Sequence, residues 1–85
     1  MTGQPAPEGS ILDRIAEVLR DVFDDADLIV SAETTAADVD GWDSVVNVEV
    51  MVALERAFGV RFRTAELAGF ENLGVLARTL EERIA

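Results

Sequence analysis

The residues best suited to chemistry lie in one short stretch, residues 38–44, which read DVDGWDS. The stretch ends where a predicted loop meets a predicted helix, so the Ser44 hydroxyl stands at a helix N-terminus and faces solvent. Asp and Ser are favoured there because their side chains accept hydrogen bonds from free backbone N–H groups, so capping by Asp43 or Ser44 is the simplest interpretation. A helix N-terminus also favours a phosphate electrostatically, which makes a covalently attached phosphate at Ser44 the second interpretation.

The carboxylates of the same region offer a metal site as a further possibility. Asp38, Asp40 and Glu49 stand at positions 1, 3 and 12 of a possible calcium loop. Trp42 at position 5 is no ligand, and Asp43 occupies position 6, where the motif requires Gly. We therefore expect no metal ion.

The composition excludes most catalytic chemistry. The 85 residues include no His and no Cys, so neither a Ser-His-Asp nor a Cys-His group can be built, and the usual zinc ligands are missing. An enzyme would have to use Asp and Glu, and no pair of these stands out from the general acidity. We expect a protein that is not an enzyme, with no disulfide to require an oxidising compartment.

The charge balance argues against two classes of partner. Seven basic residues, all Arg, stand against 17 acidic ones, and the net charge is −10. Such a chain repels nucleic acid and anionic membrane surfaces. No apolar run is long enough to cross a bilayer, and the first residues lack an export signal. These features predict a cytoplasmic protein, with a monomer as the default.

The elements that must position residues 38–44 begin after a tail. Residues 1–9 are rich in Pro and Gly and are predicted to be flexible, whereas residues 10–85 form one domain. Ser10 and the acid three residues later resemble a capping box, and apolar residues then recur at helical spacing. The first helix is predicted to end near residues 24–25, and a long loop leads from there to Asp43.

The next segment, residues 45–52, fits two patterns. Its sequence VVNVEVMV is β-branched and alternating, which favours a strand. It also continues without a breaker toward Gly59, and no second strand is visible to pair with it. Because unpaired backbone groups cost more than β-branching takes from a helix, we predict a helix ending at Gly59. Its core stripe is predicted to be Val48, Met51, Leu54 and Phe58.

The rest of the chain completes a small helical domain. Residues 60–63 are predicted to be extended, and Thr64 begins one short helical turn before Gly69. A closing helix follows Asn72 as its N-cap, with apolar positions Leu73, Leu76, Leu80 and Ile84. The predicted fold is therefore all-α, with three main helices and one short helix around one core, and with a long loop between the first two helices.

The pattern around Ser44 resembles that of the acyl carrier proteins. It consists of GWDSV at residues 41–45, followed by Glu49, ALE at 53–55 and FGV at 58–60. The family's attachment motif is Asp-Ser-Leu, and Val45 here replaces the Leu. The resemblance extends over roughly Ser10 to Ile84, because the later helices also match, at Glu66, Phe70, Leu73, Leu76 and Leu80.

This resemblance implies a role for Ser44 as the attachment point of 4′-phosphopantetheine. A separate, magnesium-dependent phosphopantetheinyl transferase would transfer the group from coenzyme A and would read Asp43 during that step. The arm ends in a thiol, which a chain without Cys cannot otherwise supply. Acyl groups would be held there as thioesters and exchanged with acyl-loading enzymes, acyltransferases, ketosynthases or tailoring enzymes.

The resemblance also implies a docking surface on the second helix. Val45 and Val52 lie on the side opposite the predicted core stripe, and Glu49 and Glu55 flank them. An ordinary solvated helix face is the alternative interpretation. Many carriers have acids where this chain has Val46 and Arg56, so recognition of partners is expected to be more apolar than in the acidic fatty-acid carriers.

Three functions stay open on the sequence. A discrete acyl carrier for polyketide-type or related specialised biosynthesis is favoured. Aminoacyl and peptidyl carriers usually have Gly two residues before the serine, where this chain has Trp42. The third hypothesis is a small acidic interaction domain without any prosthetic group.

Overall fold

Three α-helices build the fold. The computed structural model describes residues 7–84, and it describes side chains from residue 11 onward. The helices are α1 (Pro7–Val22), α2 (Ser44–Phe58) and α3 (Leu73–Ile84). Two 3₁₀ helices lie in the connections, Ala36–Asp38 and Thr64–Ala68. Residues 7–84 contain no strand, so the all-α prediction is confirmed. None of the helices described there is long and apolar enough to cross a membrane.

Helix α1 begins three residues earlier than predicted. Its first residue is Pro7, whereas the sequence pattern placed the start at Ser10. Proline suits a first helical turn because its ring presets a helical φ angle and the missing N–H has no partner there in any case. Residues 7–9, predicted as tail, therefore belong to α1. The rest of the predicted tail, residues 1–6, lies outside the described residues.

The conflict over residues 45–52 is settled in favour of a helix, but the buried face differs from the predicted one. Met51 and Leu54 are buried as predicted, and Val50 is buried with them. Val48, predicted to face the core, is 51% exposed. At 3.6 residues per turn Val48 lies about 120° around the helix from Leu54, which carries it out of the core. Gly59 ends α2 in the left-handed conformation, with φ 67°.

The core lies where α1 packs against α2 and α3. Its centre consists of side chains that are almost completely buried, and among the described residues no polar or charged side chain is buried with them. The segment after α2 adds Val60 and Phe62, and the Phe62 ring meets Phe70 edge-on at 5.9 Å. The largest buried side chains are Ile15, Leu19, Val50, Met51, Leu54, Leu76 and Leu80.

The long loop between α1 and α2 is held by its own contacts and by α3. Arg20 Nε donates to the Leu28 carbonyl at 2.8 Å. Farther along, the first two N–H groups of α3 donate into the loop, Leu73 N to Thr34 O at 3.0 Å and Gly74 N to Ala32 O at 2.8 Å. These bonds satisfy helix donors that have no partner within α3. The 3₁₀ helix Ala36–Asp38 was not predicted and shortens the irregular part of the loop.

Replacing Gly74 by alanine is expected to lower the free energy of unfolding by about 1–2 kcal/mol, because the added carbon over-packs the contact with the loop. A Cβ on Gly74 would lie 3.1 Å from Ala32 O and 3.2 Å from Ala32 Cβ. In an open helix the same change would stabilise by about 1 kcal/mol. Urea titration measures the difference. The double variant with Ala32→Gly should recover part of the loss, and a Gly74→Ala protein more stable than the parent would contradict the close contact.

Candidate functional site

Ser44 is the first residue of α2, and its neighbour caps the helix. The Asp43 backbone is extended and its Oδ1 accepts from Val46 N at 2.9 Å, so Asp43 is the N-cap. Ser44 is exposed, and no group among the described residues hydrogen-bonds to its hydroxyl. Asp43 and Ser44, the two candidate caps in the sequence, therefore have different roles. One closes the helix and the other presents its hydroxyl to solvent.

The turn before Ser44 is held in place by contacts of Trp42 with the long loop and with the end of α1. Gly41 has φ 86°, a conformation that favours glycine, and Trp42 N donates to the carbonyl of buried Val39 at 3.2 Å. The Trp42 ring packs against Phe23 with ring centroids 5.6 Å apart. Trp42 thus links the turn to the end of α1. The position of Asp43 and Ser44 follows from this anchored turn.

The start of α2 fits a phosphodiester on the serine oxygen. The N–H groups of Ser44 and Val45 lie in the first turn, where an α-helix offers no carbonyl partner. Such N–H groups, together with the positive end of the helix dipole, favour an anion at this place. An exposed hydroxyl at the same helix end can therefore carry a phosphate without burying its charge.

A cavity opens beside Ser44. Its volume is about 720 Å³, and it lies between α2, the start of α3 and the segment that joins them. Apolar side chains form most of its lining, and Ser44 and Asn47 contribute polar atoms. The apolar part of the lining includes Trp42, Met51, Leu67, Phe70, Leu73 and Leu76.

Asn47 is a site residue that the sequence analysis missed. Its Oδ1 accepts from Trp42 Nε1 at 2.9 Å, and its Nδ2 donates to Leu67 O at 2.7 Å. Both ends of the amide are thus used, in a half-buried position. The only signal in the sequence was one amide within a run of valines, and its partners lie 5 and 20 residues away.

The 3₁₀ helix Thr64–Ala68 forms one wall of the cavity. On the side that faces α3 it is held by the carboxylate of Glu66. Glu66 Oε1 accepts from Arg63 N at 2.8 Å, and Glu66 Oε2 pairs with Arg83 of α3. Arg83 also donates to Arg61 O at 2.9 Å. The hydrogen bond from Arg83, followed by that from Arg63 N, lowers the pKa of Glu66 below its ordinary value of 4.5.

Glu66→Gln is expected to lower stability at neutral pH by at most about 1 kcal/mol, the range of a partly exposed ion pair. Because the pKa of Glu66 is depressed in the folded state, its contribution is present above the unfolded pKa and is lost as the pH falls through the folded pKa, below 4.5. Urea titrations should therefore show a lower free energy of unfolding for the variant than for the parent at neutral pH, and nearly equal values for the two proteins in acid. A difference of unchanged size in acid would refute this, with the exposed Glu82→Gln as the matched control.

The predicted docking residues do not all share one environment. Val45 is 70% exposed, Val52 is 37% exposed and Glu49 is exposed, all on the outer side of α2. Val48, misassigned to the core, is exposed as well and lines the cavity beside Ser44. Glu55 is half-buried, and its Oε2 accepts from Phe62 N at 2.8 Å, which ties α2 to the segment after it. Its carboxylate therefore already has an internal partner.

Two carboxylates of the possible calcium loop, Asp38 and Asp43, bond to backbone N–H groups. Asp38 Oδ2 accepts from Thr35 N at 2.9 Å and closes the 3₁₀ helix Ala36–Asp38. Asp43 caps α2, as described above. Among the side chains of residues 11–84 no three of the metal-binding types form a group that could hold an ion.

Comparison with known proteins identifies the family. The family model described as "Phosphopantetheine attachment site" matches residues 11–80, which include the whole of α2 with Ser44, the residues that line the cavity, and most of α1 and α3. No curated protein and no solved structure gives a significant match. Members of this family are carriers rather than catalysts, and they interact with a phosphopantetheinyl transferase and with biosynthetic enzymes. The chain therefore belongs to the phosphopantetheine-binding family, as a carrier domain of the acyl carrier protein type whose prosthetic group is covalently attached 4′-phosphopantetheine.

Proposed function

We propose that this protein carries acyl intermediates as thioesters on a 4′-phosphopantetheine arm at Ser44 and passes them between enzymes of polyketide-type or related specialised biosynthesis. The observation that supports it best is the exposed Ser44 hydroxyl on the first residue of α2, beside a helix cap supplied by Asp43. A hydroxyl needed only for capping would be bonded to the helix, whereas this one is left to solvent.

Loading of the arm requires chemistry that the chain does not contain. A bond forms between Ser44 Oγ and phosphorus, the pyrophosphate bond of coenzyme A breaks, and the nucleotide leaves with the electron pair. The hydroxyl proton must pass to a base, and a chain without His has no imidazole to accept it. The transferase therefore supplies the base, while this chain contributes the positioned hydroxyl. The transferase also recognises the adjacent Asp43 carboxylate. The bound group supplies the thiol that forms thioesters.

The outer side of α2 is the proposed docking surface. Val45 and Val52 offer apolar area and Glu49 adds charge, close to the arm. Glu55 lies at the edge of this surface and contributes less, because Phe62 N already occupies its carboxylate. Apolar contacts are expected to supply much of the affinity of partner enzymes, with charge mainly steering their approach. We also propose that the carrier is cytoplasmic and monomeric, and the net charge of −10 supports the second point because like charges disfavour self-association.

The experiment is a loading assay. The purified chain is incubated with coenzyme A and a promiscuous phosphopantetheinyl transferase, and its intact mass is measured. A gain of one phosphopantetheine group that maps to the peptide containing Ser44 supports the proposal. An unchanged mass of folded protein refutes it and favours a small acidic interaction domain, and loading by an aminoacyl-activating enzyme in place of acyl donors would favour the aminoacyl or peptidyl carrier.

A further inference from the structure

The amide of Asn47 joins two parts of the molecule by hydrogen bonds, the turn before Ser44 and the segment 64–70. Asn47 lies three residues after Ser44, about one turn along α2, and both residues line the cavity. Its oxygen receives the indole N–H of Trp42, in the turn that leads to Ser44, and its N–H₂ group donates to Leu67 O in the opposite wall. One side chain therefore spans from the attachment turn to the wall.

The segment 64–70 on the other side of the cavity depends on side-chain anchors. Residues 64–68 form a 3₁₀ helix, whose internal hydrogen bonds are poorer than those of an α-helix. Gly69 follows with φ 120° and passes close to Asn47, since a Cβ there would lie 3.7 Å from Asn47 Oδ1. Glu66 and Arg83 anchor the side facing α3, and Asn47 anchors the side facing Ser44.

We propose that Asn47 is a positioning residue that couples the Ser44 turn to the 64–70 wall, so that attachment hydroxyl and cavity wall are held in one arrangement. This inference rests on the proposed function for its biological meaning, because it concerns how Ser44 is presented to the transferase and how the adjoining cavity opens. Breaking the bond to Leu67 removes one of the anchors of the wall, and the pair Glu66–Arg83 remains. Breaking the bond to Trp42 removes one of the anchors of the turn, and the contact with Phe23 remains.

The choice of an amide follows from the two partners. The indole of Trp42 can only donate and the Leu67 carbonyl can only accept, so the residue between them must accept on one atom and donate on another. Asparagine meets both demands, whereas Asp loses the donor and Leu loses both. A neutral hydrogen bond of this kind shifts the equilibrium for local opening of the wall by about two- to tenfold. The effect is large enough to measure, and it still allows the wall to open.

Hydrogen exchange on the unloaded chain tests the coupling. In Asn47→Asp the amides of residues 67–70 should exchange about two- to tenfold faster than in the parent, while the core amides of α1 and α3 keep their rates. Trp42 reports the other end, since its fluorescence should change in Asn47→Leu and much less in Asn47→Asp, which keeps the acceptor. Ala65→Ser, an exposed change in the same wall, is the control. Unchanged exchange at residues 67–70 in both Asn47 variants would overturn the proposal.

A kinetic readout separates positioning from mere stability. With the transferase, Asn47→Leu should raise KM for the unloaded chain several-fold and leave kcat unchanged, because the hydroxyl and the Asp43 cap remain. The effects of Asn47→Leu and Trp42→Phe should be less than additive, since both remove the same bond. A loss confined to kcat, or full additivity, would count against the coupling. If the parent chain is not loaded at all, the proposed function fails, whereas the exchange measurements still decide whether Asn47 holds the wall.

Discussion

Ser44→Ala is expected to abolish loading with phosphopantetheine completely, while its free energy of unfolding stays within about 0.5 kcal/mol of the parent value. The loss is complete because the oxygen that would bond to phosphorus is gone. Stability is retained because Ser44 is exposed and Asp43, not Ser44, accepts the capping hydrogen bond from Val46 N. Intact mass after incubation with coenzyme A and transferase measures the first effect, and urea titration measures the second.

The neighbouring residue supplies the matched control. Asp43→Ala should cost about 0.5–2 kcal/mol of stability through the lost cap. Asp43→Asn should cost little, because Asn caps a helix about as well, but it removes the charge that the transferase is proposed to read. A raised KM for Asp43→Asn at unchanged stability would separate the two roles of this carboxylate. A Ser44→Ala protein that still gains the mass, or that loses as much stability as Asp43→Ala, would contradict the assignment.

The second large effect concerns the core face of α2. Leu54→Ala is expected to cost about 2–5 kcal/mol, because the side chain is fully buried and its removal leaves a cavity. Val52→Ala should cost far less, since Val52 is 37% exposed, and its main effect should be weaker docking of partner enzymes. Urea titrations of the two variants measure the contrast.

A pair of identical substitutions tests the same face more sharply. Val50→Ala and Val48→Ala remove the same atoms from one helix, so helix propensity cancels between them. Val50 is completely buried whereas Val48 is 51% exposed, so only Val50→Ala should cost a substantial part of the stability. Equal losses would mean that the face is assigned wrongly, and a larger loss for Val48→Ala would restore the stripe expected from the sequence.

These contrasts show why the face of α2 could not be predicted from its sequence. The run VVNVEVMV places valine on every side of the helix, so periodicity alone does not distinguish an inner from an outer stripe. The valine at position 48 matched the spacing of Met51 and Leu54 and was therefore assigned to the core. What buries Val50 instead is the direction from which α1 approaches, and that direction depends on contacts far away in the chain.

The sequence by itself determined the three helices, both ends of α2, the start of α3 and the place of the exposed hydroxyl. Asp43, Gly59 and Asn72 all act at helix ends as predicted, the last by accepting from Val75 N at 2.9 Å. Helix ends are local, because a cap and the N–H group it bonds are only a few residues apart. The residues of the pattern around Ser44 are likewise close to one another in the sequence. For that reason residue types and spacing were sufficient to predict the all-α fold and the helix start at which Ser44 stands, whereas the role of Ser44 as attachment point is implied by the family resemblance and stays a prediction.

Only the tertiary structure decided what surrounds that hydroxyl. The bond from Asn47 to Leu67 joins residues 20 apart, and the contact of Gly74 with Ala32 joins α3 to the long loop across the whole of α2 in the sequence. Gly74 has no side chain, and this lets the loop and α3 approach each other closely. Such contacts depend on how the helices pack in three dimensions, since no rule of neighbouring residues specifies which distant carbonyl a side chain will find.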